Sequence, residues 1–249
     1  MLTREIRTIP FITSWRPLAL ALSLLLVITL ASCGSSPASA STTTARTSGT
    51  ATPATLTYVA LGASDAYGVG TDDPDRESWP TVLSQMLGQH VHLINLGIPG
   101  EVVSQALSTE LPIALDAKPN IITVWLAVND LADGVTLTNY AQQLHSLLSA
   151  LRQDTHARIF VGNVPDLTLI PHFYGYDPTA LRTEVQQWNA AIATICSQTG
   201  ATLVDIYSAW NQIATHPEYI SNDGFHPSAA GARQLAELFD QVIAATPAA

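Results

Sequence analysis

The sequence predicts an α/β domain, a parallel sheet wound between helices, and three observations carry that prediction. From residue 56 onward, short β-favouring runs alternate with segments whose apolar residues recur at helical spacing. One run, Ile121-Ile122-Thr123-Val124-Trp125-Leu126, is almost continuously apolar, as befits a central strand covered on both faces. The chain of 249 residues is 47% hydrophobic and 12% charged, which supplies a full core and excludes disorder for the body of the protein.

Taken in order, residues 58–61 are the first expected strand, ended by Gly62. Ser64 then lies on the turn leaving that strand, where an open α/β sheet binds its ligand. Trp79, Val82, Leu83, Met86 and Leu87 follow helical spacing, with Ser78 as cap and Pro80 in the first turn. Residues 91–96 read as a second strand, 101–107 as a short helix and 121–126 as the third strand. Tyr140, Leu144, Leu147, Leu148 and Leu151 mark the next helix, and 158–161 the fourth strand. A loop of about 15 residues follows, a length uncommon unless functional or disordered. Asp177-Pro178 reads as an N-cap with Pro at the first helical position. Leu181, Val185, Trp188, Ile192 and Ile195 share one face of the long helix it opens, and Cys196 near that face reads as an inert core thiol. Residues 201–206 are the fifth strand, and Ala232, Leu235, Phe239 and Val242 belong to a closing helix. There is no internal repeat, so residues 56–249 are expected to form one domain.

The segment before the domain carries a different signal. Arg4, Arg7 and Arg16 precede residues 17–30, an apolar run in the range of a secretory signal and too short to span a membrane comfortably. Leu30-Ala31-Ser32-Cys33 resembles the lipobox of bacterial lipoprotein signal peptides. The resemblance implies cleavage after residue 32 and diacylation of Cys33. Residues 33–55, rich in Ser, Thr, Ala and Pro, cannot build a core and read as a tether. The expected location is therefore outside the cell, anchored by the Cys33 lipid to the outer face of a bacterial membrane. With Cys33 acylated, Cys196 has no partner and no disulfide is expected.

Charge narrows the partners. The net charge is −10, and no Lys/Arg cluster occurs beyond the leader, which argues against nucleic acid. Asp72-Asp73-Pro74-Asp75 reads as a solvated acidic turn, and His90 and His92 lack the third ligand a zinc site needs.

Ser64 has company along the chain. A Ser hydroxyl is a poor nucleophile until a base takes its proton, and His suits that task near neutrality. His226 lies three residues after Asp223, a spacing at which one turn brings carboxylate to imidazole. Four stretches, Tyr58-Val59-Ala60-Leu61-Gly62-Ala63-Ser64, Asn95-Leu96-Gly97, Val128-Asn129-Asp130 and Asp223-Gly224-Phe225-His226-Pro227, resemble the four motif blocks of the SGNH (GDSL-type) hydrolases. They occur in the family's order and span nearly the whole domain. The resemblance implies a flavodoxin-like fold, a five-stranded parallel sheet of order 2-1-3-4-5 sandwiched by helices. It also implies Ser64 as nucleophile, His226 as base and Asp223 as its orienter. The oxyanion hole would comprise the amides of Ser64 and Gly97 and the side chain of Asn129. Neither cofactor nor metal is implied.

Two positions depart from the family pattern. Gly-Asp-Ser has become Gly62-Ala63-Ser64, with Asp65 after the Ser, and Gly-x-Asn-Asp has become Ala127-Val128-Asn129-Asp130. Neither change removes a group with a catalytic role, although Ala127 narrows the approach beside Asn129. An α/β-hydrolase is excluded, because Ala66 stands where its Gly-x-Ser-x-Gly elbow needs a second Gly.

The expectation is a lipid-anchored serine esterase acting on small-molecule, glycan or lipid esters of short to medium acyl chain. Its rivals are an O-acyltransferase to a sugar hydroxyl and an inactive binding lipoprotein of the same fold. In the long loop, Leu167, Leu169, Ile170, Phe173, Tyr174 and Tyr176 are too apolar for a solvated connector. They either cap the core beneath the loop or line the acyl site, with Leu169, Phe173 and Tyr174 as the candidate acyl-pocket residues.

Overall fold

The first strand, Leu56–Gly62 (β1), extends past the apolar run because Leu56 and Thr57 pair with Val91 and His92 of the next strand. The computed structural model describes residues 55–211 and 215–247; the expected signal peptide (1–32), Cys33 and the tether up to residue 54 lie outside the described residues. Two single-turn helices, Ser64–Tyr67 (α1) and Pro74–Glu77 (α2), follow β1, and Trp79–Leu87 (α3) leads to Val91–Asn95 (β2). Val103–Thr109 (α4) and Leu111–Asp116 (α5) precede Ile121–Trp125 (β3). Val128–Ala132 (α6) and Leu137–Asp154 (α7) connect to Arg158–Gly162 (β4). Pro178–Thr199 (α8) returns to Thr202–Val204 (β5), and Ile206–Ala209 (α9) and Ala229–Ala245 (α10) complete the domain.

All five strands are parallel, in the order β2-β1-β3-β4-β5. This is the predicted flavodoxin-like arrangement. Every residue of β3 is buried, which is why that stretch has no polar face to alternate with. Successive side chains point to opposite faces of a strand, so the sheet feeds two cores. Val59, Leu61, Ile122, Val124, Ile159 and Val161 pack on one side against α4, α7 and α8. Tyr58, Ala60, Ile121 and Phe160 pack on the other against α3 and α10, where Trp79 stacks on Phe239 at 4.6 Å.

Local signals set most boundaries. Asp177 caps α8 by accepting the amides of Thr179 and Ala180 at 2.8 and 3.0 Å. Ser78 precedes α3, but its hydroxyl donates to Thr81 Oγ1 and accepts no backbone amide of the helix. The fifth strand is shorter than residues 201–206 suggested, because Asp205 accepts the Ser208 amide and turns Ile206 into α9. The helix expected over 101–107 begins at Val103, whose amide donates to the buried Asp130 carboxylate. Cys196 is buried, and burial pushes its thiol up to about 11, the inert state expected of it.

Candidate active site

Ser64 opens α1 at the C-terminal end of β1 and is 6% exposed. Asp223 and His226 lie on the loop before α10, a tight turn in which Ser221 donates its amide to the His226 carbonyl at 2.8 Å. That turn brings His226 Nδ1 to 2.6 Å from Asp223 Oδ2 and His226 Nε2 to 2.9 Å from Ser64 Oγ. Partial burial works against the Asp223 carboxylate. Hydrogen bonds from His226, the Phe225 and His226 amides and the Ser221 hydroxyl outweigh that effect and hold it well below the usual carboxylate range. An ionised Asp223 keeps the imidazole proton on Nδ1, which leaves Nε2 as acceptor for the Ser64 hydroxyl. Ser64 and a pair of side chains from the far end of the domain thus form one proton path from Oγ to imidazole.

The turn that carries Ser64 is tied to buried acids. Gly62 donates its amide to Glu110 Oε2 at 3.1 Å, and Glu110 is 1% exposed with Oε1 unpartnered. Burial foremost, then the neighbouring Glu101, pushes the Glu110 carboxyl up to about 9. Thr109 donates to Glu101, whose carbonyl in turn accepts from Asn129 Nδ2 at 2.9 Å. The segments bearing Ser64, Glu101 and Asn129 are therefore joined from beneath. The acids that join them carry no sequence motif.

The candidate oxyanion donors divide. Ser64 is the first residue of α1, so its amide has no intrahelical acceptor. Asn129 spends one amide hydrogen on Glu101 and keeps the other. Gly97 departs from expectation, because its amide already donates to Asn95 Oδ1 at 3.1 Å. A donor satisfied inside the fold is not preorganised for a developing charge. The reason for glycine at 97 is packing: a Cβ there would lie 2.5 Å from the Tyr67 amide nitrogen. Immediately after it, Ile98 to Glu101 form a tight turn closed by Glu101 N–H to Ile98 C=O at 3.0 Å, with Gly100 at φ 82°. That is the conformation glycine takes at the third position of a type II turn after Pro. The Gly100 amide has no acceptor among the described residues and sits one residue from the carbonyl that holds Asn129. The Pro99-Gly100 pair was the sequence signal that would have found it.

Ala127 is 2% exposed and has φ 137°, a left-handed backbone that favours glycine. Its substitution for the family's glycine therefore acts through strain as well as through the space its methyl occupies.

A cleft opens beside Ser64, lined by Asp65, Trp125, Val128, Leu167, Ile170 and Phe225 among others. A smaller cavity, lined by Ala63, Leu126, Ala127 and Asn129, shares Asp65, Trp125 and Val128 with it. The long loop walls the cleft through Leu167 and Ile170 and not through the candidate residues Leu169, Phe173 and Tyr174. Leu167–Leu169 and Pro171–Phe173 form two short 3-10 turns, and Asn189 on α8 pins the loop through both the amide and the carbonyl of Val164. Phe173 is buried in the core at 3% exposure, Tyr174 is 68% exposed, and Leu169 packs on the opposite core. None of the three lines the cleft.

Residues 60–234 match the GDSL-like lipase/acylhydrolase family, a stretch that includes Ser64, Asn129, Asp223 and His226. Over 188 residues the chain is 26% identical to an arylesterase of Vibrio mimicus, covering 71% of this chain and 84% of that one. An acetylxylan esterase from Geobacillus stearothermophilus superposes with TM-score 0.60 at 21% identity, over 76% of this chain and 94% of that one. A member of the lipolytic G-D-S-L family from Veillonella parvula gives TM-score 0.63 at 16% identity, over 77% and 100%. At these identities the two structures speak to the fold.

Proposed function

The chain belongs to the GDSL-like lipase/acylhydrolase family and is a serine hydrolase, and from that premise we propose an exported, lipid-anchored esterase that cleaves short-chain carboxylic esters through an acyl-Ser64 intermediate. The observation that carries the reading is the continuous relay from Ser64 Oγ through His226 to Asp223, at 2.9 and 2.6 Å. Ser64 Oγ attacks the ester carbonyl as its proton passes to His226 Nε2. The ionised Asp223 stabilises the imidazolium that forms. The oxyanion is met by the Ser64 amide, the free amide hydrogen of Asn129 and, in place of Gly97, the amide of Gly100. Collapse expels the alcohol, which takes the proton from His226. Water then repeats the sequence against the acyl-enzyme, with His226 again as base, and releases the acid.

The acyl group is placed toward the cavity between Ala127 and Asn129. That cavity is the smaller of the two and is walled closely by Ala63, Ala127 and Asn129, which favours acetyl or a chain little longer. The larger cleft is left for the alcohol. Export and anchoring rest on the basic leader, the apolar run and Leu30-Ala31-Ser32-Cys33.

The test is turnover of 4-nitrophenyl acetate by the wild-type protein and Ser64→Ala. Loss of turnover with an unchanged melting temperature is expected, and wild-type activity in the variant would overturn the mechanism. Mass spectrometry of the protein from a bacterial membrane fraction tests the anchor, with an unmodified Cys33 as the overturning result.

A further inference from the structure

One carboxyl beside Ser64 has no part in the relay. Asp65 follows the nucleophile on α1, is half-buried, and lines both the cleft and the smaller cavity. Its side chain makes no hydrogen bond or ion pair among the described residues. Its charge interacts with His226 and Asp223, which places the carboxyl within electrostatic reach of the reacting atoms. Burial foremost raises it to about 6, with His226 opposing the rise and Asp223 adding to it. Above neutrality the group is therefore ionised.

No opposite charge balances it on the substrate side. Among the described residues, neither cavity is lined by Lys or Arg. Arg182 on α8 is engaged by Asp166 at 3.2 Å, and Arg76 on α2 faces Asp73 at 3.7 Å. His226, which becomes a cation during turnover, is already matched by Asp223 at 2.6 Å.

From this imbalance we infer that Asp65 is a specificity-determining residue, which makes the site reject esters carrying a negative charge close to the ester bond and admit neutral or cationic ones. The inference rests on the esterase reading above and deepens it by naming the charge class of the substrate. It requires no room beyond what the ester itself occupies. Asp65 is the chain neighbour of the nucleophile, so a substituent a few bonds from the attacked carbonyl lies within a Debye length of it. Partial burial weakens solvent screening, which makes the repulsion larger than between two exposed charges. The oxyanion meets the same repulsion with every substrate, and the imidazolium offsets it. A second anion, on the substrate, has no such offset.

Three acetates of similar shape separate charge from fit: 3-carbamoylphenyl (neutral), 3-carboxyphenyl (anionic) and 3-(trimethylammonio)phenyl (cationic). Two kcat/KM ratios are read on the full chain, anionic over neutral and cationic over neutral, at low salt and about pH 8, where this carboxyl is ionised. Intrinsic ester reactivity is the same for every variant, and an effect through His226 falls on all the esters. Both cancel when wild type and variant are compared. Asp65→Asn, which keeps the shape of the side chain, should raise the anionic ratio about tenfold and lower the cationic ratio. Added salt, to about 0.5 M, should shrink both differences. Asp154→Asn changes the net charge equally but lies at the end of α7, on the opposite edge of the sheet from Ser64, and should leave both ratios unchanged. Unchanged ratios in Asp65→Asn overturn the inference. So do two ratios that move in the same direction, which would give Asp65 a structural role. An equal change in Asp154→Asn also overturns it, by assigning the selection to the charge of the whole protein. Failure of the underlying esterase reading looks different: wild-type protein would turn over none of these acetates, or Ser64→Ala would turn over all of them.

Discussion

Gly62 donates its amide hydrogen to Oε2 of Glu110 at 3.1 Å, tying the residue that ends β1 to a carboxyl buried at the start of α5. Ser64 follows two residues later. The position of the nucleophile thus depends on an acid contributed from 46 residues further along the chain, on an element with no direct part in the relay.

Removing that acceptor should cost both stability and rate. Glu110→Ala leaves the Gly62 amide buried and unpaired, a loss of about 1–3 kcal/mol. Because the amide belongs to the nucleophile turn, kcat should fall more than KM rises. Glu110→Gln keeps a carbonyl oxygen facing Gly62 and should recover most of kcat. Denaturant melts and steady-state kinetics on the two variants check this, and equal kcat in Ala and Gln variants would remove Glu110 from any positioning role.

Glu110 also sets a pH dependence whose sign can be worked out. Its folded-state carboxyl is raised to about 9, whereas in the unfolded chain it ionises near the ordinary glutamate value. Between those limits the folded state holds a proton that the unfolded state has released, so stability falls as pH rises. The slope approaches about 1.4 kcal/mol per pH unit for one such group. Asp65 and Asp130, each raised to about 6, contribute with the same sign but below that value. Asp223, held below the usual range, contributes with the opposite sign, its stability being lost only at acid pH. The interval from about pH 7 to about pH 8 therefore isolates Glu110, with Cys196, raised to about 11, adding the same sign only above it. Urea melts across it should show the wild-type protein losing stability and Glu110→Gln nearly level.

Ala127 offers a gain. Its φ of 137° is a backbone state that an L side chain adopts at a cost, of order 1–3 kcal/mol for sparsely populated regions. Glycine relieves that strain but adds entropy to the unfolded chain, about 0.5–1 kcal/mol. Ala127→Gly should therefore stabilise the fold by about 1 kcal/mol net, read as a higher melting temperature. A lower one would mean that the methyl's packing outweighs the strain.

Much of this was legible in the chain because the signals were local. Alternating runs marked the strands and helices, strand order came from the family resemblance, and Ser64, Asp223 and His226 stood in short motifs that the fold brings within hydrogen-bonding distance. What was hidden depended on partners distant in sequence or on side-chain satisfaction. Whether the Gly97 amide is free depends on the rotamer of Asn95, which no motif encodes. No local pattern marks Glu110; it is enclosed only once the fold brings its carboxyl to the Gly62 amide. The loop was misread for a subtler reason. Side chains three apart eclipse in 3-10 geometry, so Leu167, Ile170 and Phe173 fall on one buried face. The apolar character of the whole loop had drawn the prediction to Leu169, Phe173 and Tyr174, whereas Leu167 and Ile170 line the cleft and Phe173, on the same face, packs on the core.

Ile170 and Phe173 share a buried face of the loop, yet only Ile170 reaches the cleft, so their expected roles are opposite. Ile170 is 4% exposed and lines the cleft, while Phe173 is equally buried but packs on the core beneath it, near Phe225 and Tyr176. Phe173→Ala should therefore act as a core truncation, costing about 3–5 kcal/mol, with selectivity unchanged. Ile170→Val removes one methylene from the cleft wall at a cost of about 0.5–1.5 kcal/mol. It should raise kcat/KM for acetates of bulky alcohols relative to ethyl acetate, by a factor on the order of ten at most for one methylene's worth of fit. Two substrate panels separate the possibilities: acetates of increasing alcohol size, and nitrophenyl esters from acetyl to palmitoyl. A changed alcohol profile with a constant acyl profile in Ile170→Val supports the alcohol in this cleft. A shift in acyl-chain preference instead would put the acyl group there and reverse the assignment of the two cavities. A Phe173→Ala protein that is fully stable yet altered in either profile would return the pocket wall to the residues that the sequence alone had selected.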